Sequence, residues 1–416
     1  MSDDKKTEKK RGLDAGKSVS AAIRQYYQDM QSRRPLAWSV LSSNPLNDIA
    51  PLVGIQVGYP ENYACVCASQ HFSDKYCTLA EAHNYKPELC SYIRNNFGYL
   101  LSDDPQPPLG GIPRPDLLMA ISNACLNYIK WFEALHLYFD KPFVLINSPH
   151  RLSSSKQPDY YINYVAKEIE EAIPQLEKIG GTKLTKEIFT AAAHYSREVV
   201  KYWMAIMELQ KATPAPANFP DLANLIFVPT SLSASELGVS LLKQAYEELK
   251  TRVETKTGAI AEEKHRLILV NIPPWYRFGI SNIFAEKGCV FPFGDYTRYV
   301  WATQDIDDSD PMEYFAKKAL GFGVVDGFGS STAETNYGWL NSRLEQDIKD
   351  YKIDGAVVQI NKSCKIMSTG GMDVASVIRD KFKIPVVVID ADQADERFFS
   401  DAEFKLRVDA FLEMLG

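Results

Sequence analysis

Short apolar runs alternate along this chain with helix-length amphipathic segments, and that alternation restricts the fold more than any other feature. "VGIQVGYPENYACVCAS" reads as a strand, a turn at Pro60 and a helix. "PDLLMAISNACLNYIKWFEAL" reads as a short apolar strand, a loop and a helix, and "KPFVLINSPHR" as a buried strand ending at Pro149. Strands separated by helices pair in parallel, because the crossover carries a helix over one face of the sheet. A helix is also expected in "PELCSYIRNNFGYLL", beginning near Pro87, and another over residues 18–31, with Ala22, Ile23, Tyr26 and Met30 at helical spacing.

A second series begins at "HRLILVNIPPW". Its strands are expected at Leu267–Asn271, Cys289–Pro292, Ala356–Ile360 and Val386–Asp390, with a helix over 334–350 and a closing amphipathic helix over 401–415. Residues 157–211 differ: they predict two long helices broken at Gly180-Gly181, and Ile188, Ala192, Tyr195, Val199, Trp203, Ile206 and Leu209 keep a spacing of three to four. "KATPAPANFP" reads as a linker, and Ser233 with Glu236 has capping-box spacing for a helix running to about Val253. The expectation is an α/β protein of two Rossmann-like parallel-sheet domains with an intervening helical segment. It divides into an N-terminal tail and helix (1–35), a first α/β domain (36–155), a helical segment and linker (156–255) and a second α/β domain (256–416).

At 416 residues the chain exceeds one ordinary domain. A net charge of -7 argues against a general nucleic-acid binder, which needs a basic surface. No apolar run approaches the ~20 residues of a membrane span. The opening "MSDDKKTEKKRGLDAGKS" lacks the apolar stretch of a secretory signal, so a cytoplasmic location without membrane contact is expected. "GLDAGKS" is no phosphate-binding loop: three residues, not four, separate its first glycine from Gly-Lys, and no strand precedes it. "GFGVVDGFG" lacks the dinucleotide-binding register, and its glycines suit turns.

The chain has seven cysteines, an odd number in a reducing setting, which disfavours a disulfide framework. Cys125 follows "DLLMAIS" and Cys364 follows "GAVVQI"; each lies beyond the C-terminal end of an expected parallel strand and before an expected helix. Ligands of open α/β sheets bind at such ends. Cys90 lies near a helix start, where the helix N-terminus lowers a thiol's pKa. Three converging thiolates suit an iron–sulfur cluster; buried structural cysteines are the alternative. His150 directly follows a strand and is a candidate proton donor, or a loop histidine bonded to backbone. Trp275, Tyr276 and Arg277 follow another strand, where they can stack on a planar ligand or pack as a corner.

"INKSCKIMSTGG", followed by "IRDKFKIPVVVIDADQADERFFSDAEFKLRVDAFLEML", resembles the C-terminal signature of the 2-hydroxyacyl-CoA dehydratase / benzoyl-CoA reductase family. "PENYACVCAS", "ELCSYIRNNFGYL" and the Asp116–Cys125 stretch resemble its N-terminal parts, so the likeness runs from about residue 50 to the end. Asn361 to Lys365 and Asp392 to Arg397 look nearest to the larger, B- or O-type cluster-carrying component of ATP-dependent benzoyl-CoA reductase. Dehydratase subunits more often carry a Cys-Asp-Pro type sequence at the Cys364 position.

The resemblance implies that Cys90, Cys125 and Cys364 hold a [4Fe–4S] cluster. It further implies a related smaller subunit with its own cluster, an acyl-CoA in the cleft between them, separate ATPase activator subunits and reduced ferredoxin as donor. The implied reaction is two-electron reduction of benzoyl-CoA or a related aryl-CoA to a cyclohexadienoyl-CoA. Lys362 and Lys365 flank Cys364 and would tune the cluster, hold CoA phosphates, or simply be solvated. Cys65, Cys67, Cys77 and Cys289 are not expected to be ligands. The alternatives are a 2-hydroxyacyl-CoA dehydratase subunit, a homodimeric double-cubane reductase, and a scaffold with buried cysteines.

Overall fold

The computed structural model describes residues 12–41, 44–149, 159–298, 305–321 and 344–416. Strands β1 (Leu36–Ser39), β2 (Gln56–Gly58), β3 (Leu117–Ile121) and β4 (Phe143–Ile146) form one sheet in the order β2-β1-β3-β4. Strands β5 (His265–Val270), β6 (Cys289–Gly294), β7 (Gly355–Asn361) and β8 (Val386–Ala391) form another in the order β6-β5-β7-β8. Every pairing is parallel, and the two orders are the same. In each sheet the chain steps outward to one side, then crosses to the other. A switch point therefore opens between β1 and β3, and again between β5 and β7. The expected α/β architecture is present, and the likeness of the two sheets could not be seen in the amino-acid pattern.

β3 is buried at every residue, as its continuous apolar run requires of a strand covered on both faces. β1 lies outside the expected strands although it is central to its sheet. Its four residues, "LAWS", are too few to display a period. The helices Ser73–Ala82 and Pro311–Ala319 were likewise not anticipated. The first packs closely on the Ser91–Leu101 helix, and Gly98 allows that approach.

Helices Asp159–Gly180 and Lys186–Leu209 break where Gly180-Gly181 indicated, with Gly181 at φ 79°. The helix Glu236–Glu254 is capped by Ser235, not Ser233: Ser235 is the extended residue before the first turn and accepts from Gly238 N at 3.1 Å. Ser233 instead sits buried, bonded to Ser196 at 3.0 Å and Lys318 at 2.7 Å. Of the helix expected over 334–350, residues 344–350 are described and helical.

The two sheets do not float apart. Tyr276 and Ala394 from the second series join the apolar core built around the first sheet. Arg94 pairs with Asp395 at 2.7 Å, both side chains fully buried. Among the described residues no helix is long and apolar enough to cross a membrane.

Candidate functional site

Cys90, Cys125 and Cys364 occupy the same local position: each is the N-cap of a helix, Ser91–Leu101, Leu126–Phe139 and Lys365–Ser376 respectively. N-caps favour Ser, Thr, Asp and Asn, and none of the three thiols makes a side-chain capping hydrogen bond, so helix capping does not account for cysteine at these positions. Cys125 follows β3 and Cys364 follows β7, the corresponding strands of the two sheets at their switch points. The helix of Cys90 starts at Ser91, later than Pro87, which leaves the thiol at the tip.

The three thiols share one electrostatic environment. Cys364 and Cys125 both push the Cys90 thiol upward, and Cys125 pushes Cys364 upward. Burial is the largest cause in each case, raising Cys125 to about 11 and Cys364 to about 12. The lowered pKa expected of a helix N-terminus is therefore corrected. Backbone N–H groups of Tyr92, of Asn127 and Tyr128, and of Met367 do favour the three thiolates, but desolvation outweighs them.

Several residues that sequence reasoning passed over line the same region. Glu61 lies in the first turn of the helix Pro60–Ser69, which follows β2, and accepts a hydrogen bond from the Tyr128 hydroxyl. Burial raises its carboxyl to about 7, and its charge bears on both Cys125 and Cys364. Tyr92 lies 3.5 Å from the Cys65 sulfur and receives the Trp275 indole N–H at 2.6 Å. Tyr296, after β6, stands in the field of Glu61, Cys65 and Cys364. The available signal was position: Glu61 and Tyr296, like Cys125 and Cys364, follow the C-terminal ends of strands.

The other candidates are placed apart from one another. Trp275 faces Tyr92, whereas Tyr276 is buried against Phe399. Arg277 is exposed, pairs with Asp401 and lies over the Phe399 ring at 5.4 Å. With one ring packed and the guanidinium engaged elsewhere, the three do not form one stacking surface. Lys362 and Lys365 are exposed. His150 lies outside the described residues. Cys67, Cys77 and Cys289 are buried, and Cys65 is half-buried on the Tyr92 side.

The donor set can be tested against an iron–sulfur cluster. Among the described residues no group of three or more His, Cys, Asp or Glu stands close enough to hold one metal ion. Ligands of a multi-iron cluster bind different irons and stand further apart. The Cys90, Cys125 and Cys364 thiols have the donor chemistry such a cluster takes: soft sulfur donors at three helix N-termini, with backbone N–H groups that favour the thiolates.

Residues 49–415 match the family described as 2-hydroxyglutaryl-CoA dehydratase, D-component. The chain belongs to that family. It is 29% identical to the (R)-2-hydroxyisocaproyl-CoA dehydratase alpha subunit of Clostridioides difficile, over 94% of this chain and 92% of that one. It is 28% identical to the (R)-phenyllactyl-CoA dehydratase alpha subunit of Clostridium sporogenes, over 90% and 88%. A benzoyl-CoA reductase subunit of Thauera aromatica is 24% identical, over 89% and 86%. These two dehydratase subunits match at higher identity than the ring-reductase subunit, so the comparisons back the dehydratase alternative better than the benzoyl-CoA reductase reading.

Proposed function

We propose, on the premise of that family membership, that the chain is the alpha-type subunit of a 2-hydroxyacyl-CoA dehydratase. It would convert a 2-hydroxyacyl thioester to the 2-enoyl thioester and water, without net use of electrons. Cys90, Cys125 and Cys364 would hold a [4Fe–4S] cluster, which supplies one-electron chemistry and an open iron when bound. The observation that carries this reading is the placement of three cysteines at three helix N-caps, two of them at the switch points of sheets with the same strand order.

The protein's own residues have definable tasks. Helix N-termini at the three thiols would offer partial positive charge to a thioester-derived anion bound beside them. Glu61, protonated over a useful pH range and tied to the Tyr128 hydroxyl, would deliver a proton to the departing hydroxyl group. Tyr92, Tyr296 and Trp275 would exclude water from that wall. The alpha-subunit names of the relatives support a second, related subunit in this assembly. A separate ATPase activator fed by reduced ferredoxin would supply the starting electron.

The ring reductase remains the second reading because of the benzoyl-CoA reductase relative. Electron stoichiometry separates the two. With the anaerobically purified complex and its activator, a dehydratase turns over many 2-hydroxyacyl-CoA molecules per electron supplied. A benzoyl-CoA reductase consumes two electrons per product. About four irons per chain are expected, most of them lost in Cys364→Ala. An iron-free parent that also resists reconstitution would remove the enzyme reading altogether.

A further inference from the structure

Directly after β8, Asp392 and Gln393 are buried beside Cys90, although neither is a ligand candidate. Asp392 is an acceptor in four hydrogen bonds. Its Oδ2 takes the Ser363 backbone N–H at 2.9 Å and the Ser363 hydroxyl at 2.5 Å, and its Oδ1 takes the N–H groups of Ala394 and Asp395 at 3.0 and 3.1 Å. The Ser363 hydroxyl proton is thus committed to Asp392. What remains of Ser363 Oγ is acceptor capacity. It receives the Ser91 backbone N–H at 2.9 Å, and the Gln393 side chain approaches at 3.2 Å. Only the NH₂ end of that amide can satisfy an oxygen that has no proton left to give. The same Nε2 lies 3.7 Å from Cys90 Sγ. The direction of hydrogen bonding, starting at Asp392, therefore fixes the Gln393 amide with an N–H aimed at the Cys90 sulfur.

We propose that Gln393, oriented through Ser363 by Asp392, is a positioning residue that donates a hydrogen bond to the Cys90 thiolate and raises the reduction potential of the group that thiolate helps to hold. This rests on the cluster reading above. Hydrogen bonds to ligating sulfurs stabilise the more negative, reduced form and are among the determinants of cluster potential. The lever acts on one sulfur of three: among the described residues, no side-chain donor stands at hydrogen-bond distance from Cys125 or Cys364. The relay also crosses between the halves, since Ser91 belongs to the first series and Ser363 and Gln393 to the second. It therefore sets the position of Cys90 relative to Cys364 as well as the charge at its sulfur.

The test is an anaerobic potentiometric titration with titanium(III) citrate, followed by electron paramagnetic resonance, on parent, Gln393→Leu and Ser363→Ala, with iron and sulfide measured on each. Gln393→Leu keeps the volume and removes the donor. It should keep its iron and titrate at more negative potential, with about a tenfold lower ratio of reduced to oxidised cluster at a fixed poise, ~59 mV for one electron. Ser363→Ala, which frees the amide to turn, should shift in the same direction by less. An unchanged potential in an iron-replete Gln393→Leu protein overturns this inference and leaves the cluster reading intact. An iron-free parent overturns both. Should either variant fail to fold, the parent decides alone. Protein labelled with ¹⁵N in the glutamine side chain should show a nitrogen coupling to the reduced cluster by electron spin-echo modulation, and its absence refutes the inference.

Discussion

Asp295, immediately after β6, shows how strongly position governs a side chain here. Both carboxylate oxygens accept the Asn271 backbone N–H at 2.9 Å, which favours the charged form, yet burial prevails and raises the carboxyl from 3.8 to about 7. The folded protein then binds this proton more tightly than the unfolded chain does. Stability contributed by Asp295 is fully present below about pH 4 and falls as pH rises to about 7, then levels off. The slope attributable to it is at most about 1.4 kcal/mol per pH unit. Urea denaturation of the metal-free protein at a series of pH values should show a shallower decline in Asp295→Asn than in the parent. Parallel curves would mean that the carboxyl is solvated. Glu61 is raised in the same sense, so only the difference between the two proteins isolates Asp295.

At the scale of elements, the Cys90 thiol depends on how two helices meet. A Cβ on Gly98 would stand 1.8 Å from the Tyr76 carbonyl oxygen, a backbone atom of the Ser73–Ala82 helix. Neither helix can yield without sliding, and Cys90 caps the helix that would have to move. Gly98→Ala should therefore destabilise the fold by about 1–3 kcal/mol, the range for overpacking a tight core. Iron binding should fall with it, although no ligand has been altered. Denaturation and iron analysis check the two halves of that statement independently; a variant with parental stability and iron content would show that the contact relaxes. The Ser73–Ala82 helix escaped the sequence reading for a related reason. "SDKYCTLAEA" has little apolar periodicity, and its helix is stabilised by packing on its neighbour rather than by its own pattern.

Across the whole molecule, the candidate ligands come from three separated segments and from both sheets. A group bound by all three would tie the halves together and bind only the folded chain. Removing iron with a chelator under anaerobic conditions should lower the melting temperature and open cleavage sites between the halves to limited proteolysis. Reconstitution with iron and sulfide should restore both. If melting and cleavage are the same with and without iron, the halves hold together without it, through contacts such as the buried Arg94–Asp395 pair at 2.7 Å.

The sequence by itself determined the α/β class, the positions of most strands and the break at Gly180-Gly181. Those features rest on local periodicity and on residues that punctuate a chain, and such signals survive without tertiary contacts. It also marked Cys125 and Cys364, because a strand's C-terminal end can be recognised from the apolar run before it. β1, the helix capped by Ser235 and the approach at Gly98 were decided by packing, since four buried residues carry no period and either serine suits a cap. The tertiary structure alone brought Glu61, Tyr296 and Gln393 to the three thiols, joining residues as far apart as 61 and 393. It also reversed the expected direction of the Cys90 pKa. Desolvation is a property of everything packed around a group, and no stretch of sequence beside a cysteine records it.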